Sequence, residues 1–143
     1  MSKIAVVYWS GTGNTEAMAK SVAAGARSAG AEVELLTAAE FGPDKLSAYD
    51  AAAFGCPAMG SEQLEEDEFE PMFSACKPAL KGKKIALFGS YGWGDGQWMR
   101  DWYGRCEDAG ATLLDDQGLI VNEAPDADGQ DACRDLGRRL AAW

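Results

Sequence analysis

The stretch SGTGNT at residues 10–15 directly follows the apolar run IAVVYW at residues 4–9 and precedes an amphipathic segment at residues 16–28. An apolar run that ends in small and hydroxylated residues predicts a buried strand that breaks into a tight loop. Such a loop at a helix N-terminus forms a cradle for an anion, because free backbone N–H groups and the helix dipole favour negative charge there. The stretch therefore predicts a phosphate site.

Two commoner phosphate-binding loops do not match this spacing. The nucleoside-triphosphatase loop requires Gly-Lys-Ser/Thr at the helix start, but Asn14 follows Gly13, and no Lys or Arg lies between residues 10 and 15. The dinucleotide fingerprint requires a third glycine at the position that Glu16 occupies. A phosphate site made of hydroxyls, one amide and backbone N–H groups remains. A glycine-rich turn that binds nothing is the alternative.

The chain has 143 residues, of which 47% are hydrophobic, and this composition fits one globular domain over residues 1–143. Its longest apolar runs are much shorter than a membrane span. Its N-terminus lacks the order of charged, apolar and small residues that marks a signal peptide. We therefore expect a soluble cytoplasmic protein.

The chain is strongly acidic, with a formal net charge of −10 and a sequence pI near 4.4. Nucleic acids and anionic membranes require basic patches, so the charge argues against both as partners. It favours protein partners with a basic docking face, toward which association is fast and salt-sensitive. Acidity that serves only solubility is the alternative. We expect a monomer.

The cysteine and histidine content argues against several kinds of site. The four cysteines are scattered without a Cys-x-x-Cys pair, and the chain has no histidine. Since zinc and haem sites normally use His or clustered Cys, we expect no metal site. Scattered cysteines in a cytosolic protein are typical of small buried thiols. The missing histidine also excludes a Ser-His or Cys-His nucleophile.

Strand and helix patterns alternate along the chain. Strands are predicted at residues 3–9, 32–36, 51–56, 84–90 and 111–121, the last interrupted by Asp115, Asp116 and Gly118. Helices are predicted at residues 16–28, 66–76, 96–109 and 128–142, with one or two helical turns at 43–48. The alternation of five strands with helices indicates an α/β fold. We expect a doubly wound parallel sheet with helices on both faces.

Ligands of such sheets bind beyond the carboxyl ends of the strands. The third strand ends in CPAMGSE at residues 56–62, and the fourth ends in SYGWGDG at residues 90–96. Each loop carries one large apolar side chain, Met59 or Trp93, which is costly to expose unless something covers it. A flat aromatic ligand would stack on Trp93 and contact the Met59 sulfur. A small core beneath the loops is the alternative, and Trp98 and Trp102 are expected to lie in the main core.

These motifs resemble those of the flavodoxin family. SGTGNT after VVYW is followed by PAMG, EFEP, FGSYGWGDG and WMR, in the order found in short-chain flavodoxins of the anaerobic bacterial type. The similarity covers essentially the whole chain, and the motif at residues 88–96 is its most specific part. The resemblance implies the strand order 2-1-3-4-5 with FMN at the switch point of the sheet, an arrangement of which flavodoxin is a standard example.

The resemblance also assigns residues to the cofactor. The FMN phosphate would be bound by Ser10, Thr12, Asn14 and Thr15, and by the backbone of Gly11 and Gly13. The isoalloxazine ring would be flanked by Met59 and Trp93, hydrogen-bonded by Glu62, and lined by the backbone of Ser90, Tyr91 and Gly92. The expected binding set is completed by Pro57, Ala58, Gly94 and Asp95. Pro57 replaces a serine that contacts the phosphate in some relatives. The Gly60-Ser61 peptide would rotate on reduction and turn the Gly60 carbonyl toward the newly protonated flavin nitrogen.

The implied function is that of a low-potential one-electron carrier, not an enzyme, which shuttles between redox proteins through semiquinone and hydroquinone states. A neutral peptide–flavin hydrogen bond is worth about 1 kcal/mol, or on the order of 40 mV for a one-electron couple. Acidic residues near the loops would oppose the anionic reduced flavin: Glu62, Glu65, Glu66, Asp67, Glu68 and Asp95. We therefore expect a strongly negative second reduction potential.

Three other functions share parts of this pattern. A small FMN-dependent reductase needs a substrate cavity, whereas this chain has almost no length beyond the core fold. An FMN domain of a larger oxidoreductase remains an alternative. A phosphoacceptor signalling module would need an aspartate where Cys56 ends the third strand, and an acidic pair where Ser10 and Gly11 follow the first. The sequence therefore argues against the signalling module.

Overall fold

The computed structural model describes residues 2–60 and 62–143. It contains a parallel β-sheet that is covered by helices. The strands are β1 (Lys3–Tyr8), β2 (Glu32–Thr37), β3 (Ala51–Gly55), β4 (Lys84–Tyr91), β5 (Thr112–Leu113) and β6 (Leu119–Asn122). The helices are α1 (Asn14–Ser28), α2 (Pro43–Leu46), α3 (Phe69–Cys76), α4 (Gln97–Asp108) and α5 (Ala127–Ala142). Among the described residues, no helix is both long and apolar enough to cross a membrane.

The sheet confirms the predicted fold class and strand order. The strands run β2-β1-β3-β4-β5, and every neighbouring pair is parallel. β3 is buried along its whole length, as expected for a strand that helices cover on both faces. Tyr8 pairs with Gly55, and Gly55 pairs with Phe88. The carboxyl ends of β1, β3 and β4 therefore lie side by side, and the three predicted loops leave the same edge of the sheet.

The predicted fifth strand is divided into two strands, so the sheet has six. β5 pairs with the start of β4 through Leu113 and Ile85, and β6 pairs with the end of β4 through Leu119 and Phe88. Between them the chain leaves the sheet at Asp115, whose φ of 69° is incompatible with an extended strand. The interruption predicted within residues 111–121 is therefore present, and it divides that predicted strand into β5 and β6 of the same sheet.

Two helices, α1 and α3, begin two or three residues from their predicted starts, whereas α4 and α5 begin within one residue of theirs. α1 begins at Asn14 rather than at residue 16, because Gly13, with a left-handed φ of 96°, ends the loop immediately before it. α3 begins at Phe69 rather than at residue 66. The side chain of Glu65 accepts hydrogen bonds from the N–H groups of residues 67–69. This local hydrogen bonding competes with the helix, so α3 begins later than predicted.

The core lies on both faces of the sheet. On one face, α1 and α5 pack against β1, β3 and β4. On the other, Trp98 and Trp102 of α4 are each 1% exposed, and Trp102 packs edge-on against Phe69 and Phe73 of α3. The prediction that both tryptophans lie in the core is confirmed. All four cysteines are buried free thiols, as predicted.

The contact between α1 and α5 depends on two glycines. A Cβ at Gly25 would lie 1.9 Å from the carbonyl oxygen of Arg134, and a Cβ at Gly137 would lie 2.0 Å from the carbonyl oxygen of Val22. Since atoms at these distances overlap, a methyl group at either position would force the helices apart. The two helices therefore pack backbone against backbone.

We expect G25A and G137A each to lower the free energy of unfolding by about 1–3 kcal/mol, the usual cost of overpacking. G104A in α4 is the control, because a Cβ there meets nothing within 4 Å and alanine in a helix is favoured over glycine by roughly 0.5–1 kcal/mol. Urea unfolding followed by circular dichroism measures all three variants. Unchanged stability of G25A and G137A would contradict the close contact.

Candidate functional site

A cavity of about 300 Å³ opens at the carboxyl ends of β1, β3 and β4. Its size is at the lower end of the roughly 300–1,000 Å³ typical of small-molecule sites, and open α/β sheets bind their ligands at this edge. The lining residues are Trp9, Ser10, Gly11, Thr12, Asn14, Thr15, Pro57, Ala58, Met59, Ser90, Tyr91, Gly92 and Glu123. The three strand ends selected from the sequence thus meet in one cavity.

The loop at residues 10–15 is held in shape by Ser10. Its Oγ accepts hydrogen bonds from the N–H of Gly13 at 3.1 Å and from the N–H of Glu16 at 3.2 Å. Among the described residues, the N–H of Thr12 and the first two N–H groups of α1 donate to no acceptor. These free N–H groups are available to an anion at the helix N-terminus.

Thr15 and Ser90 connect this loop to the end of β4. Thr15 is 1% exposed, and its Oγ1 accepts a hydrogen bond of 3.4 Å from the N–H of Ser90. The Ser90 hydroxyl donates to the carbonyl oxygen of Glu123 at 2.7 Å, and the Glu123 N–H donates to the carbonyl oxygen of Tyr91 at 2.7 Å. These bonds fix the ends of β4 and β6 against the start of α1.

Met59 begins a tight turn whose two ends pair with each other. Met59 and Gln63 exchange two backbone hydrogen bonds, of 2.8 and 2.9 Å. Within the turn, Gly60 has a φ of 52° and Glu62 a φ of 53°, and the left-handed conformation costs a residue with a side chain about 1–2 kcal/mol. Ser61 lies outside the described residues, so the rotation of the Gly60-Ser61 peptide stays a prediction.

Glu62 connects this turn to the N-terminus of α4. Its Oε1 accepts hydrogen bonds from the N–H of Gln97 at 3.0 Å and from the N–H of Gly96 at 3.3 Å. Gly94 passes so close that a Cβ there would lie 2.6 Å from the Glu62 Cδ. Oε2 accepts no hydrogen bond from the described residues. The side chain therefore joins the loops after β3 and β4 and keeps one oxygen for another donor.

Several predicted cofactor residues of the described chain lie outside the cavity wall: Gly13, Gly60, Glu62, Trp93, Gly94 and Asp95. Trp93 directly follows the lining residue Gly92 and is 64% exposed. The Asp95 carboxylate forms an ion pair with Arg100 at 3.0 Å, and both side chains are exposed. The roles of these residues toward FMN stay predictions.

Two lining residues, Trp9 and Glu123, were absent from the predicted set. The Trp9 ring would lie 3.1 Å from a Cβ at Gly11, so a glycine relieves the crowding there. Glu123 follows β6 and has a φ of 56°. The sequence did carry a signal for Glu123, because the fifth predicted strand ends at the same edge of the sheet as the other parallel strands.

Two carboxyl groups near the site have shifted pKa values. Burial acts to raise the pKa of Glu65, but hydrogen bonds from three backbone N–H groups outweigh it and hold the pKa below its usual value. Hydrogen bonds of 2.7 and 2.6 Å from the Arg105 guanidinium lower the pKa of Glu70 and join α4 to α3. Both carboxyl groups are therefore charged at neutral pH.

A family model described as Flavodoxin matches residues 6–137. The flavodoxin of Megasphaera elsdenii is 49% identical over 138 residues, which cover 96% of this chain and 98% of that one. The flavodoxin of Clostridium beijerinckii is 46% identical over 136 residues, which cover 95% and 97%. The solution structure of two-electron reduced Megasphaera elsdenii flavodoxin has a TM-score of 0.90 and 48% identity, and the match covers 98% of this chain and 99% of that one.

The doubly wound sheet, the cavity at its carboxyl edge and these matches define a small electron-carrying flavoprotein. The chain belongs to the flavodoxin family, and its cofactor is FMN. The resemblance inferred from the motifs is thus confirmed, together with the fold and the electron-transfer function that it implies.

The residues that line the cavity or lie directly beside it fit both ends of FMN. No Lys or Arg of the described chain lines the cavity, so a phosphate there needs neutral donors. Such donors are provided by the free N–H groups at the start of α1 and by the hydroxyls of Ser10, Thr12 and Thr15. Half-buried Met59 and exposed Trp93 provide apolar surface for a flat ring.

Replacing Thr12 by Ala tests the phosphate end of the site. Thr12 is exposed, and its side chain makes no hydrogen bond within the described chain, so T12A should leave stability unchanged. A hydrogen bond to a charged group is worth about 1.5–3 kcal/mol, so the dissociation constant for FMN should rise roughly 10- to 150-fold.

Fluorescence titration measures this binding, and riboflavin, which lacks the phosphate, is the matched control ligand. Riboflavin should bind T12A as well as it binds the natural chain. Equal weakening toward FMN and riboflavin would contradict the assignment of Thr12 to the phosphate.

Proposed function

We propose that the protein is a low-potential one-electron carrier rather than an enzyme, with redox proteins as its electron donor and acceptor. The observation that supports this most directly is the 64% exposure of Trp93, immediately after the cavity residue Gly92. An aromatic side chain at the open rim, rather than beneath a closing domain, leaves the edge of a bound ring accessible to a protein partner. FMN supplies the one-electron chemistry when it is bound.

The proposed roles of the residues follow the two ends of the cavity. The phosphate is bound by the side chains of Ser10, Thr12, Asn14 and Thr15 and the backbone of Gly11, while Gly13, whose N–H donates to the Ser10 Oγ, shapes the loop around it. The ring is flanked by Met59 and Trp93 and lined by Pro57, Ala58, Ser90, Tyr91 and Gly92. Glu62 accepts a hydrogen bond from the pyrimidine edge through Oε2, and the Gly60-Ser61 peptide responds to reduction. Gly94 and Asp95 shape the adjoining loop.

The charges around the cavity favour a low potential. Glu123 lines the cavity, and no Lys or Arg of the described chain does. One carboxylate at ~10 Å, with an effective dielectric constant of ~20, opposes an added negative charge by roughly 1.7 kcal/mol, or about 70 mV. A neutral hydrogen bond supplies only about 40 mV in the other direction. The second electron should therefore enter at a strongly negative potential.

The exposed acids support docking through a basic face of the partner. Glu66 and Asp95 are exposed in the loops that carry Met59 and Trp93, and the net charge of the chain is −10. Charges at the rim of an interface mainly steer association. Four free thiols suit a reducing compartment. We propose that residues 1–143 act as one domain, as a monomer, in the cytoplasm.

Stepwise anaerobic reduction of the FMN-loaded protein tests the proposal. Visible absorption, with reference dyes to set the potential, should show two separate one-electron steps, the second at much the lower potential. Free FMN in the same buffer is the control. A single two-electron step, together with rapid turnover of a quinone at the expense of NADPH, would instead favour a reductase.

Salt dependence tests the docking face. Electron transfer from the reduced protein to cytochrome c, used as a basic probe, should slow as ionic strength rises, because salt screens the attraction. Ferricyanide is the matched acceptor of opposite charge, and its reduction should become faster with salt. Stopped-flow absorption measures both rates, and a salt-independent rate with cytochrome c would contradict steering by the acidic loops.

A further inference from the structure

Glu65 is a buried carboxylate whose hydrogen bonds all come from the backbone of its own loop. Glu65 is 6% exposed. Oε2 accepts from the N–H of Asp67 at 2.7 Å, and Oε1 accepts from the N–H of Glu68 at 2.7 Å and of Phe69 at 2.8 Å. A buried charge is tolerated only where such donors compensate it. The three bonds close the loop immediately before α3.

The backbone of Glu65 ties the same loop to the end of β3. Its N–H donates to the Cys56 Sγ at 3.4 Å, and its carbonyl oxygen accepts from the N–H of Glu70 at 2.8 Å. Cys56 directly precedes the cavity residue Pro57. The turn from Met59 to Gln63 therefore lies between two points that Glu65 holds, the end of β3 and the start of α3.

We propose that Glu65 is a positioning residue, which holds the turn after β3 in the conformation that binds the flavin ring. This inference rests on the proposed function of Met59 and Glu62 toward FMN. Glu65 acts through the loop and does not touch the cofactor.

The alternative is that Glu65 is one more negative charge beside the flavin, as its place in the run of acids at residues 62–68 predicts. The structure separates it from its neighbours, because Glu66, Asp67 and Glu68 are exposed whereas Glu65 is buried. The three N–H dipoles that point at its carboxylate offset much of its field. Geometry therefore favours positioning over charge.

Two substitutions separate these roles. E65Q removes the charge and leaves one carbonyl oxygen to accept, whereas E65D keeps the charge on a side chain one CH₂ shorter, which cannot reach the same three N–H groups without moving the loop. If Glu65 positions the loop, both variants should bind FMN about tenfold more weakly, because the binding conformation becomes a minor one. If Glu65 acts by charge, E65D should behave like the natural chain.

D67N is the matched control. Asp67 is exposed two residues away, its side chain makes no hydrogen bond within the described chain, and its substitution removes the same charge as E65Q. D67N should leave the FMN dissociation constant within about twofold of that of the natural chain, since surface substitutions away from special features are nearly neutral. Equal behaviour of E65Q and D67N, in affinity and in the two midpoint potentials, would overturn the proposal.

Amide hydrogen exchange of the FMN-free protein provides a readout that needs no cofactor. The amides of Glu68 and Phe69 should be protected in the natural chain and in D67N, and should exchange about tenfold or more faster in E65Q and E65D. Unchanged exchange in both variants would overturn the proposal even if FMN binding fell. If the natural chain did not bind FMN, the proposed function would fail while the exchange experiment still decided whether Glu65 holds the loop.

Discussion

Side chains that accept hydrogen bonds at helix N-termini hold the carboxyl edge of the sheet together. Every helix begins with N–H groups that lack an acceptor within the helix. Ser10 supplies an acceptor for α1, Glu65 for α3, Glu62 for α4 and Asp126 for α5. Each of these side chains lies in a connecting loop rather than in the helix that it serves. The bonds that start the helices therefore also fix the loops that form the cavity.

The fold could be predicted because its main signals are local. Continuous apolar runs identify strands covered on both faces, as in β3, and the glycine and hydroxyl residues at 10–15 identify the loop before α1, although not its start at Asn14. Parallel connectivity then brings the loops after β1, β3 and β4 to one edge. The cavity follows from this topology, which is why most of its lining could be predicted before the structure was known.

The features that could not be predicted from the sequence depend on contacts between segments that are distant along the chain. The close approach of Gly118 to α4, where a Cβ would lie 2.2 Å from the Met99 Sδ, is one such contact, and no local pattern shows it. Glu62 and Glu65 also belong to one acidic run, and only the family resemblance singled out Glu62, while nothing in the sequence set Glu65 apart from its acidic neighbours. One accepts hydrogen bonds from α4 and the other from α3. Only the three-dimensional path of the chain shows which carboxylate of the run accepts hydrogen bonds that position a loop and which is a solvated charge.

The geometry of Glu62 is compatible with its proposed hydrogen bond to the flavin ring without loss of the contact between the two loops. Both hydrogen bonds from α4 reach Oε1, so Oε2 remains free for a donor on the ring. A carboxylate has about four acceptor positions on its two oxygens, whereas an amide side chain has acceptors on only one. Glutamine at this position would have to choose between the N-terminus of α4 and the ring. In the proposed role of Glu62, the demand of the fold and the demand of the cofactor together would account for an acidic residue beside an anionic ligand.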